Sequence, residues 1–395
     1  MQAQRPEPSR AVLLLLIALS AVGPLSFQIV LPALPEWRRT FGAEAGTTQL
    51  VVSVSMALIA VATLTYGRVA DRWGRRPPLL VGMSALAVGS LACALAPSLP
   101  VLIVGRAVQA AGGASGMVVS RAIVLDLYGR ERARKAQAAI GAAMMGAPLA
   151  ATPLGGLLTD LVGWRATFAV ICVSGLLMLT AVALGLRETL DAKRERHRMA
   201  EAYGALLRDR SFLGYALQPG FAMAAFLGFL TGGAYVFADR YRIGPTGFGL
   251  HVLAVTSAFL VGSLAASRTT TRLPTDRAVV LGSLLALLAA AAALGLTLAG
   301  VWTPWALTGP VAALALANGL ALPNAQAGAV SVREDLSGDA SGLSGFINTV
   351  VGAVASQLVG ALQDGTPRPL AWLMAGASAL AVLASLLTLG RAARR

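Results

Sequence analysis

Charge is scarce in this chain. Only 13% of its 395 residues are Asp, Glu, Lys or Arg, about half the share of an ordinary soluble domain. The apolar share is 56%. It falls into runs of about twenty residues, long enough to cross a hydrocarbon layer roughly 30 Å thick. A soluble enzyme and a disordered regulator are excluded on that ground. Cysteine is nearly absent too. Cys93 and Cys172 sit inside apolar runs, LACALA and VICVSG, and read as small core residues, so a disulfide-stapled secreted module is excluded. The two histidines, His197 and His251, are far apart, which leaves no metal site with enough ligands at useful spacing.

Lys and Arg number 32 against 18 Asp and Glu, a net charge of +14. In a soluble protein that excess would suggest nucleic acid. Here no cations interleave with aromatics as single-strand binding requires. Basic residues in short loops instead set the orientation of a membrane protein. Nucleic acid is not an expected partner; the lipid bilayer is. Arg5 and Arg10 precede the first apolar stretch, but that stretch runs on without a small-residue cleavage site, so it reads as a span rather than a signal peptide.

Twelve spans are expected, near 11–34, 47–68, 78–97, 99–127, 137–159, 164–186, 212–238, 247–266, 277–299, 301–328, 340–362 and 369–390. The longest polar stretch, 187–211, contains RETLDAKRERHR and separates spans six and seven as a solvated helix or linker. Six spans, a charged connector and six more spans is the pattern an internal duplication leaves. The predicted organisation is an N-terminal segment 1–10, a first half 11–186, a linker 187–211, a second half 212–390 and a tail 391–395. With the N-terminus inside, alternate loops hold 25 Lys and Arg against 6 in the opposite loops. That bias predicts cytoplasmic termini on both ends of the chain.

The strongest motif follows the second span: Gly67-Arg-Val-Ala-Asp71-Arg72-Trp-Gly74-Arg75-Arg76-Pro77. Gly67 is expected to let a neighbouring helix approach. Asp71, one turn on, is expected to accept from guanidinium groups and from backbone N–H groups at the start of a neighbouring helix. Such a latch would hold one half of the bundle against the other. Anchoring by Arg72, Arg75 and Arg76 alone would not explain the spacing of Gly67, Asp71 and Gly74.

With that motif the chain resembles the major facilitator superfamily, and within it the twelve-span drug exporters of the bicyclomycin-resistance (Bcr/CflA) type. Gly23-Pro-Leu-Ser26 with Leu31-Pro-Ala-Leu-Pro35 is similar to that family's first span, and Arg106-Ala-Val-Gln109 to the start of its fourth-span motif. Arg121-Ala-Ile-Val-Leu-Asp126-Leu-Tyr128, Gly163-Trp-Arg165, Leu322-Pro-Asn324 and Asp364-Gly-Thr-Pro367 follow in the same order. The resemblance implies an all-α integral membrane fold of two pseudo-symmetric six-helix halves. It implies a non-enzymatic secondary transporter in a bacterial inner membrane, exporting small drug-like molecules by alternating access and linked to protons. It further implies that no cofactor is needed and that the chain acts as a monomer. Nothing resembles a P-loop, a nucleophile elbow or a metalloprotease helix. Two other tasks stay open: an exporter or uncoupled facilitator of amino-acid-like metabolites, and a non-transporting membrane receptor or scaffold.

The departures from the family pattern shape the site. Gln28 stands where an acidic residue is usual, and Val30 where a tyrosine is usual. The fourth-span motif weakens to Arg106-Ala-Val-Gln109-Ala110-Ala-Gly112. In the fifth span Pro153 lies one place late relative to Gly155 and Gly156, while Gly146 and Pro148 keep that helix closely packed and prone to kink. Arg106 lies about 10 Å into its helix and must be paired or face a wet cavity. It is either a structural hydrogen-bond node or a functional group. Gln109, Gly113 and Ser120 follow at helical spacing and are expected to face the interior.

Substrate-binding candidates are Gln28, Phe27, Arg106, Gln109, Asn324 and Asn348, with Phe221, Phe226, Phe229 and Tyr235 as further wall. Conformational candidates are Gly67, Asp71, Arg72, Gly74, Arg75, Gly146, Pro148 and Pro153. Proton-coupling candidates are Asp126 and Arg106, with Asp126 expected to pair with Arg121 or Arg130. Apart from Asp126, Asp160 and Asp239 near span ends, no span carries a carboxylate. Neutral, zwitterionic or anionic substrates are therefore expected over cations.

Overall fold

A computed structural model describes residues 10–190, 199–269 and 273–389. Among them, twelve helices are long and apolar enough to cross a membrane: Arg10–Phe41, Ala45–Trp73, Arg76–Ala94, Leu99–Gly129, Lys135–Leu161, Trp164–Gly185, Arg210–Asp239, Pro245–Ala266, Thr275–Leu298, Pro304–Ser331, Ser337–Ala361 and Arg368–Leu386. They are called spans one to twelve below. The fold is all-α, with six spans on each side of a connector. Part of that connector, 191–198, lies outside the described residues.

Local sequence explains the deviations from straight helices. In span one, Leu31-Pro32-Ala33 forms a single 3-10 turn between the helices Arg10–Gln28 and Leu34–Phe41. Pro32 and Pro35 remove two backbone donors there, and proline is tolerated at the first turn of the helix that follows. The chain between spans four and five differs from expectation. It is helical from Leu99 to Leu161 and broken only at Gly129, whose φ of 67° turns the backbone in one residue.

The short helix Met199–Arg208 belongs to the second half. Its Ala202 and Leu206 are buried against Phe212, Tyr215, Ala329 and Leu336. Asp209 then caps span seven, accepting from the backbone N–H groups of Ser211 (2.8 Å) and Phe212 (3.1 Å), worth about 1 kcal/mol.

The two halves meet along spans two and eleven and along spans five and eight, and they meet at one end. There Gln49 Nε2 donates to Ser356 Oγ (2.5 Å), Ser53 Oγ to Gln357 Oε1 (2.7 Å), and Gln357 Nε2 to the Gly46 carbonyl (3.0 Å). Asp160 Oδ2 accepts from Thr246 N (2.9 Å) at the start of span eight, and Arg38 pairs with Asp239 at 2.6 Å. Glycines let the backbones touch. A Cβ on Gly156 would collide with the Pro245 carbonyl, and one on Gly249 would come within 2.8 Å of Pro153 Cα.

Toward the opposite end this crowding disappears. A Cβ on Gly67, Gly141, Gly146, Gly342 or Gly345 would meet nothing within 4 Å. A cavity of ≈ 740 Å³ opens there beside spans ten and eleven, lined by Pro323, Gln326, Ser331, Ser337 and Ser341 among others. The bundle is thus sealed at the end holding Glu44 and Leu362 and open at the end holding Gly74 and Gly129.

Candidate functional site

At the open end, the turn after span two forms a dense polar cluster. Gly74 has a φ of 96°, which favours glycine, and a Cβ there would also displace the Glu188 carboxylate. The turn sends Arg75 inward, its side chain only 2% exposed. Arg75 Nη1 donates to Asp71 Oδ1 at 2.6 Å and Nε to Asp126 Oδ2 at 2.7 Å. Burial pulls the Arg75 pKa down, and the hydrogen bonds and charges of Asp126 and Asp71 outweigh it, so the guanidinium is held more firmly protonated than usual. Arg72 is exposed.

Sequence reasoning missed Glu188. From the end of span six, its carboxylate accepts from the backbone N–H groups of Arg75 (2.7 Å) and Arg76 (3.1 Å), and from Thr189 (3.0 Å) and Leu190 (3.1 Å). It caps the start of span three. Burial works against its charge, and the four backbone donors override that, holding the carboxyl below the usual carboxylate range. Its signal was a lone acid directly behind the last apolar residues of span six.

Two latch expectations are corrected here. Asp71 accepts from Arg75 and not from the start of a neighbouring helix; Glu188 caps such a helix. A Cβ on Gly67 would meet nothing within 4 Å among the described residues, so the expected close approach is absent. Asp126 was expected to pair with Arg121 or Arg130. It pairs with Arg75; Arg121 points its Nη2 to Met144 Sδ at 3.4 Å, and the Arg130 side chain lies outside the described residues.

Deeper, in span four, Arg106 is 1% exposed. Its Nη1 donates to the Ser26 carbonyl (3.2 Å) and to Gln109 Oε1. Its Nε and Nη2 meet no acceptor among the described residues. The half-buried Phe27 ring lies 6.0 Å from the guanidinium carbon. Gln28 Oε1 accepts from Thr152 Oγ1 of span five at 3.4 Å.

The stripe expected to follow Arg106 into the interior does something else. Gln109 is fully buried and donates to Ser90 Oγ of span three at 2.7 Å. Gly113 packs on Gly23 of span one, and Ser120 is fully buried. Small residues here let spans one, three and four approach, so Gln109, Gly113 and Ser120 make helix contacts and do not line a cavity. Arg106, Gln109 and Ser90 form one network with Phe27 beside it.

In the second half, Asn348 is half-buried, with an Oδ1 that meets no protein partner. Asn324 is 4% exposed and donates to the Leu320 carbonyl of its own helix at 2.8 Å. Phe221 and Phe226 are half-buried. Phe229 and Tyr235 are fully buried, and the pocket wall assigned to them is corrected. Phe229 packs in an aromatic cluster with Phe237 and Phe248, and Tyr235 carries the Arg38 guanidinium over its ring. Pro153 lies at the crossing of spans five and eight. Gly146 borders open space, so its expected close packing is absent in this conformation. The side chain of Pro148 lies outside the described residues.

Two six-helix halves sealed at one end, with a buried polar network inside and a charged latch at the open end, define a polytopic α-helical carrier fold. The chain belongs to the Major Facilitator Superfamily, whose family model matches residues 16–356. It is 30% identical to multidrug resistance protein D of Escherichia coli over 88% of both chains. It is 25% identical to a bicyclomycin resistance protein homolog of Haemophilus influenzae over 93% of both. The fold matches the crystal structure of a bacterial homolog of the human lysosomal transporter Spinster, in an inward-facing and occupied conformation, with a TM-score of 0.75. There the identity is 17%, and the match covers 98% of this chain and 97% of that one.

Proposed function

We propose that this protein is a secondary transporter that exports small drug-like molecules across the bacterial inner membrane by alternating access. The observation that carries the reading is the one-sided closure: the halves are bonded across one end and separated at the other. A carrier with a single site between two halves must visit such a state. Relatives whose names include multidrug and bicyclomycin resistance support efflux as the direction.

Both termini and the latch lie in the cytoplasm, so the open end faces the cell interior. The bias of basic residues toward those loops supports this orientation. Gln28, Phe27, Arg106 and Asn348 form the substrate site, and one copy of the chain suffices. Substrates are neutral, zwitterionic or anionic, since a cation would meet Arg106 with no carboxylate to offset it. Proton linkage is weaker than in relatives with an acidic first span, because Gln28 does not titrate and Asp126 is held in the latch.

Flux of a neutral antibiotic in proteoliposomes, with and without an imposed pH gradient, tests the reading. Concentrative export is expected, with a small response to the gradient that grows in Gln28→Glu. No flux above empty liposomes would overturn it. A cysteine placed in 191–203 that reacts with impermeant reagents in intact cells would overturn the orientation.

A further inference from the structure

Resting on the export reading, we propose that the cargo is an amphipathic organic anion, an aromatic carboxylate, whose carboxyl group is received by Arg106 beneath Phe27. The guanidinium is 1% exposed, and only its Nη1 is used, by the Ser26 carbonyl and Gln109. Nε and Nη2 meet no acceptor among the described residues. These two nitrogens share one edge of the planar group, and their parallel N–H bonds form the fork that a carboxylate accepts with both oxygens. The edge without an acceptor has the geometry that a carboxylate requires.

No residue of the chain supplies the missing charge. By the span topology read from the sequence, 13 of the 18 carboxylates fall in the loops on the side of the termini and 5 in the opposite loops, and none lies in the middle of a span. A tie between spans one and four needs one donor to the Ser26 carbonyl, and Gln109 alone ties span four to Ser90. A permanent charge at this depth is costly for a merely structural node. The electrostatics around the mouth agree with an anion. By the same sequence topology, the loops on the side of the termini hold 25 Lys and Arg against those 13 carboxylates, and the opposite loops 6 against 5. A surface of that sign raises the local concentration of anions on the cytoplasmic side. Phe27, half-buried with its ring centre 6.0 Å from the guanidinium carbon, provides an aromatic face for the apolar part of the cargo.

The test uses three probes of one shape: 2-naphthoate, its methyl ester and 2-naphthyltrimethylammonium, bound to the full-length protein in nanodiscs. The wild type is expected to bind naphthoate at least tenfold more tightly than the ester or the cation. Arg106→Gln is expected to bring the acid-to-ester ratio to about one, with ester affinity within about threefold. Arg106→Lys keeps the charge and loses the fork, so it is expected to reduce the ratio, and it serves if Arg106→Gln does not fold. Phe27→Ala is expected to keep the anion preference while speeding naphthoate entry. Equal binding of acid and ester by the wild type, or a preference that survives both Arg106 variants, would overturn the proposal. Flux of chloramphenicol without any anion preference would overturn it and leave export standing. Arg106-dependent naphthoate binding without flux of any solute would leave the anion site standing and overturn export.

Discussion

The two ends of the bundle are held by different chemistry. At the sealed end the halves are joined mostly by neutral hydrogen bonds, Gln49 to Ser356, Ser53 to Gln357 and Gln357 to the Gly46 carbonyl. Bonds of this kind in a membrane contribute about 0.6 kcal/mol each, and rarely above 2. At the open end the strong interactions are ionic and lie within the first half. Arg75 spans Asp71 and Asp126, and Glu188 caps the helix that Arg75 precedes. A seal of many weak contacts can be released by a modest difference in substrate affinity between states. Under the proposed alternating access, a latch of charges inside one half keeps its shape while that half moves.

The largest effect is expected from removing the centre of the latch. Arg75→Ala leaves Asp126, whose side chain is 12% exposed, without its partner, while Asp71 at 48% can turn to water. Breaking a buried pair in this way costs about 3 kcal/mol or more. The expected result is a lower melting temperature in detergent and loss of folded protein from the membrane. Asp71→Asn is expected to be gentler on stability. It should reduce transport turnover more than tenfold while substrate affinity stays within a few-fold, because the latch acts on conformation and does not touch cargo. Normal turnover would reduce the motif to an anchor.

Glu188→Gln comes next, at about 1 kcal/mol, and it carries a pH signature. The folded carboxyl titrates below the usual carboxylate range. Its stabilisation is therefore fully present above that range and is lost as pH falls through the depressed folded value. The difference in melting temperature between wild type and Glu188→Gln is expected to shrink as the sample is acidified. A constant difference would remove the charge from the explanation. The smallest effect belongs to the seal. Gln357→Ala removes two of its bonds and is expected to shift the balance between the two conformations several-fold toward opening of the sealed end, read as faster labelling of a cysteine introduced at Ser356.

Much of this was legible in the residues themselves. The twelve spans follow from apolar length, and the Gly67 to Arg76 pattern located the latch. What stayed hidden depends on which element packs beside which. Gln109 and Gly113 lie at the right spacing for a cavity stripe, yet spacing cannot say that span three and span one cover that face. Asp126 has Arg121 and Arg130 nearby in sequence, and its partner comes from another turn, 51 residues away. Glu188 acts on a helix 112 residues earlier. Gly67 and Gly146 are suited to close contact, yet a Cβ on either would meet nothing within 4 Å among the described residues.

The central claim is that sealing and opening exchange between the two ends. It is tested most directly by electron-spin distance measurements on two labelled pairs in nanodiscs. One pair is Glu44 with Leu362 at the sealed end; the other is Ala138 with Ser341 at the open end, all four exposed. Distances are taken without ligand, with naphthoate and with chloramphenicol. The account expects two populations at each end, with the Ala138–Ser341 distance shortening as the Glu44–Leu362 distance lengthens. Single fixed distances at both ends under every condition, or both pairs moving in the same direction, would contradict it.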